Sequence, residues 1–364
     1  MTVPRRQFLA STAAMASGVF ALANTMCPAD DAPRTPQIKI GQIGVSHAHA
    51  NKLGVYRKSD DYEVVGVVEP NADLRRRAEL TPAFEGVKWL TREALLGTPG
   101  LQAVLIETSI RDLLSNARLC VEAGHHVHID KPAGESLADL KLILEIATQK
   151  QRLIQMGYMF RYNPGVVLLR EFLKNGWLGE IFEVHTVMSK VVGAEDRLEL
   201  AEYPGGSMFE LGGHVLDLVI GILGPPQKVT AFPRHSSSSE DALLDNMLAV
   251  LEYPRATATV RSSVIEIGGF ERRHLTVCGT EGTFHIQPLD NPTAMVTLSQ
   301  PRGPYQAGTQ EIVLPKYTRY VDDARDMARV IRGEKAFDFS PAHDLAVQTA
   351  LLQACGLSGQ RFQN

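Results

Sequence analysis

From Gln37 onward the chain alternates short β-branched runs with amphipathic stretches. "QIKIGQIGV" (37–45) predicts a strand, "HANKLGVYRKS" (49–59) a helix, and "YEVVGVVEP" (62–70) a strand of the β-branched kind that parallel sheets bury on both faces. A helix over "NADLRRRAELTPAF" (71–84), a third strand in "GVKWL" (86–90) and a helix over "REALLGT" (92–98) follow. "LQAVLIET" (101–108) is a fourth strand, "LLSNARLCVEAG" (113–124) a helix closed by Gly124, and "HHVHID" (125–130) a fifth strand. This alternation predicts a parallel sheet with helices on both faces, whose ligand lies at the carboxyl ends of the strands.

Past residue 133 the rhythm changes. A helix over 136–151, a strand over 152–160 and a helix over 163–179 lead into longer alternating runs: "EIFEVHTVMSK", "QKVTAFPR", "DNMLAVLEY", "ATATVRSSV", "RRHLTVCGT", "GTFHIQP" and "TAMVTLSQ". These predict a large, mostly antiparallel open sheet, and helices over 318–332 and 341–357 close the chain. The predicted organisation is an amino-terminal segment and linker over 1–36, a dinucleotide-binding domain over 37–157, and an α+β substrate and oligomerisation domain over 158–364.

The first residues follow a different logic. "PRRQFLASTAAMASGVFALANTMC" sets Arg5 and Arg6 before an apolar stretch of about sixteen residues, shorter than the roughly twenty that span a bilayer. It resembles a twin-arginine export signal, which would make the Tat machinery a partner and place the protein in the periplasm. A lipid anchor on Cys27 is disfavoured, because "NTMC" lacks the usual apolar and small residues before the cysteine. Cys120, Cys278 and Cys355 are widely spaced with no C-x-x-C, so they predict small buried hydrophobes rather than disulfides or a zinc cluster. With 44% hydrophobic and 21% charged residues and a net charge of −4, the chain gives no electrostatic reason to expect nucleic acid.

In a dinucleotide turn the first glycine makes the bend, the second admits the pyrophosphate, and the third lets helix and strand pack closely. Gly44 takes the first place here, while Ser46 and His49 stand in the second and third, so the turn is degraded. Glu69, at the end of the next strand, can accept both ribose hydroxyls, and no arginine follows it at once, so NAD is favoured over NADP. Thr108, closing the fourth strand, and Asp130 with Lys131, closing the fifth, would line the same crevice. A lysine there can hold a substrate hydroxyl and assist its deprotonation.

"HVHIDKPAG", "MGYMFRYNPG" and "GGSMFELGGHVLDLVIGILGPP" together resemble the glucose-fructose oxidoreductase and inositol dehydrogenase family, also called Gfo/Idh/MocA, in order and spacing from about residue 37 to the end. The resemblance implies a Rossmann domain followed by an α/β domain whose open sheet often joins subunits, and hydride transfer between a sugar or cyclitol carbon and a nicotinamide. It makes Lys131 the family lysine and Asp130 the counterpart of the glutamate before it. His214 becomes the acid/base, with Glu210 and Asp217 beside it, and Arg161, Tyr162 and Asn163 line the cofactor and sugar pocket. Asp217, one helical turn on, is expected to orient the imidazole. Glu210 departs from the family's aspartate, "SIRDLL" lacks a histidine often found near Leu113, and "GVSHAH" departs at the turn.

Two other classes stay open on sequence. His47-Ala48-His49 is an H-x-H at a strand end, as in metal-dependent hydrolases, with His125, His126 and His128 as further ligands. A carbohydrate-binding module without turnover would also keep this fold. An exported dehydrogenase has no pool of NAD outside the cytoplasm, so the cofactor is expected to stay bound. It would be recycled by a second substrate, or restored within one cycle as in family members that cleave glycosides. His47 and His49 are expected near the pyrophosphate, where their ring nitrogens could donate to phosphate.

Overall fold

The computed structural model describes residues 36–357; the expected twin-arginine signal and Cys27 lie outside them. The parallel sheet is built from β1 (Ile38–Ile43), β2 (Tyr62–Val68), β3 (Leu101–Ile106), β4 (His126–Ile129) and β5 (Ile154–Met156). Its order is β2-β1-β3-β4-β5. The connections carry α1 (Leu53–Lys58), α2 (Ala72–Glu79), α3 (Arg92–Leu96), α4 (Ile110–Glu122) and α5 (Leu137–Gln149). The buried strand ends explain their apolar runs: Val104, Leu105, Ile106, Val127 and Ile129 are all fully enclosed between helical layers.

"GVKWL" does not join this sheet as a strand. Only Trp89 bridges to Val67, because Thr91 immediately caps α3 with its side chain and the extended stretch ends there. The fifth place goes instead to β5, which pairs with β4. Cys120 and Cys355 are buried, as small hydrophobes would be, while Cys278 is half-buried.

The second sheet holds β6 (Ile181–Ser189), β7 (Lys228–Arg234), β8 (Asn246–Glu252), β9 (Thr257–Ser263), β10 (His274–Gly279), β11 (Gly282–Ile286), β12 (Ala294–Leu298) and β13 (Gly308–Ile312). Its order is β13-β12-β11-β10-β6-β9-β8-β7, antiparallel except for the parallel pair β6 and β9. Strict alternation in β8 and β12 buries one side chain in two, which is what a sheet covered on one face requires. That cover includes α6 (Pro164–Lys174), α8 (Gly213–Leu223) and α10 (Pro341–Ala354), while α7 (Ala194–Ala201) lies in the connection after β6.

From Gln37 onward the two sheets belong to one compact unit. Helix α9 (Val321–Ile331) returns to the first sheet, where Ala324 and Met327 pack with Ile38, Tyr56 and Tyr62. The Tyr62 hydroxyl donates to the Ala324 carbonyl at 2.7 Å. A segment late in the chain thus completes the cover of the dinucleotide-type sheet.

Candidate active site

At the carboxyl ends of β1, β2 and β3 lies a cavity of about 890 Å³, lined by Gly44, Ser46, Glu69, Thr108, Arg75 and Trp89 among others. Gly44 has φ +89°, and a Cβ there would come within 2.6 Å of the Thr108 backbone nitrogen, so the turn needs glycine on both counts. Glu69 accepts the Val45 N–H at 3.2 Å and the Asn71 N–H at 2.9 Å, which fixes its carboxylate at the cavity wall. A volume of this size, a glycine-only bend and an anchored carboxylate at the end of β2 fit the adenosine half of a dinucleotide. Sequence reasoning missed Trp89 and Arg75, whose guanidinium lies 5.0 Å from the indole; the tryptophan was placed in a strand rather than at the cavity wall.

His47 and His49 turn away from that cavity, towards β4. The His47 Nε2 lies 3.0 Å from the Lys131 carbonyl, and its Nδ1 accepts the His49 N–H at 3.2 Å. These two bonds together select the neutral tautomer with its proton on Nε2. The His49 Nδ1 lies 3.1 and 3.2 Å from the two Asp130 oxygens, so this ring donates from Nδ1 and leaves Nε2 as an acceptor. Burial is the main reason that both imidazoles resist protonation: His47 is lowered to about 4 and His49 is also lowered, against the opposing pull of Asp130.

Beneath them lies a buried charge cluster that sequence reasoning did not find. The Lys52 Nζ donates to Asp130 Oδ2 at 2.5 Å and to His128 Nε2 at 2.8 Å, and forms an ion pair with Glu107 Oε1 at 2.9 Å. The Tyr320 ring covers the ammonium at 5.2 Å. Burial pushes Glu107 well above the usual carboxylate range, with Asp130 adding to the rise. For Asp130 itself, burial works upward, but His47, Lys52 and His49 hold it well below. One cation, Lys52, is therefore buried between two carboxyl groups whose titration is displaced in opposite directions. The signal in the sequence was Lys52 itself, a lysine on the apolar side of the first helix pattern.

His47, His49 and Asp130 lie close enough to hold a metal ion, as do Glu107, His128 and Asp130. In both groups Asp130 already holds the Lys52 ammonium, and the His47 Nδ1 lone pair is taken by a backbone N–H. A divalent ion would face that ammonium at close range, so the H-x-H is better explained as a hydrogen-bonded pair.

The expected substrate residues divide into two groups. Lys131 Nζ donates to the Glu210 carbonyl at 2.8 Å and lies 3.1 Å from its Oε1. Glu210 sits in a π-helical turn, Met208–Gly212, that delivers His214 in the first turn of α8. Burial tends to raise Glu210, but Lys131 and Lys190 hold it below its usual range. His214 is 1% exposed, its Nδ1 is buried without a partner, and its ring lies 5.9 Å from that of His49. Burial, reinforced by Lys131 and His49, holds it well below the usual imidazole range, so it is a neutral base at pH 7.

Asp217, Arg161, Tyr162 and Asn163 are placed elsewhere. Asp217 does not orient His214: its carboxylate accepts from Arg161 Nη2 at 2.7 Å and lies 2.8 Å from His343 Nε2. Arg161 also donates to Asp344 at 2.5 Å and stacks 3.9 Å from Phe339, so it is a buried pillar between α8 and α10 rather than a cofactor contact. Asn163 caps α6 through Gly165 and Val166 and is fully buried. Tyr162 donates to Asp326 of α9 at 2.6 Å. A three-residue step on a helix predicts a shared face, and here that face meets α10 and not the imidazole.

The neutral imidazoles predict a pH response. His47, His126 and His128 are lowered by burial to about 4, 4 and 3, so unfolding frees them to bind protons below their ordinary value of 6.5. The raised carboxyls Glu107, Asp323 and Asp344 act in the opposite sense, but the lowered imidazoles, which include His49, His125 and His214, outnumber them. The stability that the neutral imidazoles contribute is therefore full above pH 6.5 and falls towards pH 4. Scanning calorimetry should show a lower Tm at pH 5 than at pH 7, and an unchanged or higher value would contradict the neutral assignment.

Comparison with known proteins agrees with this architecture. Residues 38–158 match the model of an oxidoreductase family with an NAD-binding Rossmann fold, and residues 166–285 match the GFO/IDH/MocA C-terminal domain. The chain is 29% identical over 223 residues to the inositol 2-dehydrogenase of Gluconacetobacter diazotrophicus, a match covering 60% of this chain and 63% of that protein. It is 26% identical over 249 residues to the trans-1,2-dihydrobenzene-1,2-diol dehydrogenase of Mus musculus, covering 65% and 70%. Among solved structures, an oxidoreductase from Agrobacterium radiobacter in complex with NAD+, L-tartaric acid and magnesium superposes with a TM-score of 0.76 at 16% identity, over 90% of this chain and 97% of that one.

Proposed function

Because the chain belongs to the Gfo/Idh/MocA oxidoreductases and carries their NAD-binding Rossmann fold, we propose that it oxidises a ring hydroxyl of a carbohydrate or cyclitol with NAD. The observation that carries this reading is the convergence of Lys131, Glu210 and a bare, neutral His214 beside the ends of β1 and β4. The names of the two relatives, an inositol and a cyclic diol dehydrogenase, support a six-membered ring with neighbouring hydroxyls.

When bound, the nicotinamide accepts hydride from the carbinol carbon. The protein's part is proton handling and orientation. Lys131 donates to the reacting hydroxyl, His214 removes its proton as the hydride leaves, and Glu210 accepts from a neighbouring hydroxyl. Glu210 already accepts from Lys131, which fixes both side chains before substrate arrives.

The amino-terminal pattern supports export through the twin-arginine route with cofactor bound. The exposed face of the second sheet, with Phe232 and Met295, supports self-association. Purified protein, denatured and filtered, should release NAD or NADH in stoichiometric amount, and a panel of cyclitols and glycosides should reduce the bound NAD. Release of no dinucleotide would overturn the retained-cofactor reading; failure of every ring polyol to reduce added NAD would overturn the dehydrogenase reading.

A further inference from the structure

The turn that carries Glu210 is fastened to the paired strands β6 and β9, where Met188 stands beside Ser262. Ser207, which caps that turn, bonds both ways with Ser262. Its hydroxyl donates to the Ser262 carbonyl at 3.2 Å, and its carbonyl accepts from the Ser262 hydroxyl at 2.7 Å. Strand β6 ends at Ser189, so the next residue out of the sheet towards this turn is Lys190. Its backbone is fixed as well, because its N–H donates to the Ser263 carbonyl at 3.0 Å.

Charge in this part of the cleft does not balance. Lys131 is answered by Glu210 at 3.1 Å. Arg273 donates from Nε to the Ser189 carbonyl at 2.9 Å and from Nη1 to both oxygens of Asp290, 3.1 and 3.0 Å away, and Arg319 pairs with the same carboxylate. Arg319 precedes Tyr320, whose ring is 5.9 Å from that of His49, so this second group borders the same cleft. Lys131, Lys190, Arg273 and Arg319 thus share only Glu210 and Asp290, while Lys52, deeper in, has Asp130 for itself. Among the described residues no hydrogen bond or ion pair forms at the half-buried Lys190 ammonium. Burial holds it below the usual lysine range, with Lys131 and Arg273 pushing the same way against the pull of Glu210 and the exposed Asp196. A cation in that position is stabilised by an anion brought to it.

We propose that Lys190 determines the specificity of this cleft by receiving a carboxylate on the substrate ring, so that the substrate is an acidic sugar, a uronic acid or its glycoside. This rests on the ring-hydroxyl oxidation proposed above. A single free ammonium matches a single negative charge. A phosphate dianion would call for a guanidinium fork, and that of Arg273 is already committed to Asp290 and Ser189. The surplus of positive charge around Asp290 adds a longer-range preference for an anion over a neutral ring. The carboxylate takes no part in hydride or proton transfer, so its contribution is to binding and appears in KM more than in kcat.

Matched pairs of sugars test the proposal on the NAD-loaded protein. Methyl glucosides, galactosides and mannosides are compared with the corresponding methyl uronides, the methyl ester of each uronide, and the 6-phosphate of each glycoside. For the best ring, kcat/KM for the acid should exceed that for the neutral parent and the ester by at least about tenfold, the least that a hydrogen bond to a charged group is worth. The difference should lie in KM and shrink as salt is raised. In Lys190→Met, which leaves no bonded partner behind, the acid-to-neutral ratio should fall at least about tenfold, and Lys190→Arg should keep most of it. Equal use of acid and neutral sugar, an unchanged ratio in Lys190→Met, or preference for the phosphate overturns the proposal. If no probe reduces the bound NAD, the dehydrogenase reading fails, and calorimetric titration of the uronides still decides this one. Binding that Lys190→Met weakens at least about tenfold upholds the carboxylate subsite, and binding that is absent or indifferent to the variant overturns it.

Discussion

His214→Ala lowers kcat by about 10²- to 10⁴-fold, the range that loss of a general acid/base costs, while NAD remains bound. The buried Nδ1 of His214 has no partner, so its removal orphans no other polar group, and the loss should lie in turnover more than in stability. The cofactor cavity at Gly44, Glu69 and Thr108 does not include this residue. Steady-state rates with a reactive cyclitol or glycoside, and fluorescence titration with NADH, separate the two effects. A variant that keeps more than about a tenth of wild-type turnover would assign the hydroxyl proton to another group. Asp217→Asn provides the contrast. Asp217 accepts from Arg161 and lies beside His343, so the change should lower stability through a buried charge network without the same specific loss of turnover.

Lys52→Met should destabilise the fold by about 3–5 kcal/mol, the cost of breaking a buried pair from one side. Lys52 is 2% exposed and is the cation that Asp130, Glu107 and His128 share. Methionine fills similar space but leaves Asp130 without its nearest charge and the Glu107 carboxyl without its ammonium partner. Urea unfolding followed by far-UV circular dichroism measures the change, and a loss under about 1 kcal/mol would show that the cluster relaxes or admits water.

The degraded glycine turn takes its meaning from the fold. Gly44 is kept because β1 must bend within van der Waals contact of the end of β3. The histidines where later glycines are expected face β4, where Asp130 and the Lys131 carbonyl receive them. A motif read along one strand and its following turn cannot show this, since the receiving groups stand some eighty positions away, as the 81-residue separation of His49 and Asp130 illustrates.

What the sequence by itself determined is the part governed by local periodicity and by short motifs. The β-branched runs and their spacing specified a parallel sheet followed by an antiparallel one, Glu69 ended its strand at the cavity, and Lys131, Glu210 and His214 lay in recognisable stretches. What only the tertiary structure decided is which polar side chains face one another. Asp217 went to Arg161, Asn163 became a cap, and Lys52, Glu107 and Tyr320 came together with Asp130 from four separate elements and loops. The physical reason is that a buried charge must find a partner wherever the fold supplies one, and that choice depends on distances across the core, which periodicity along the chain does not encode.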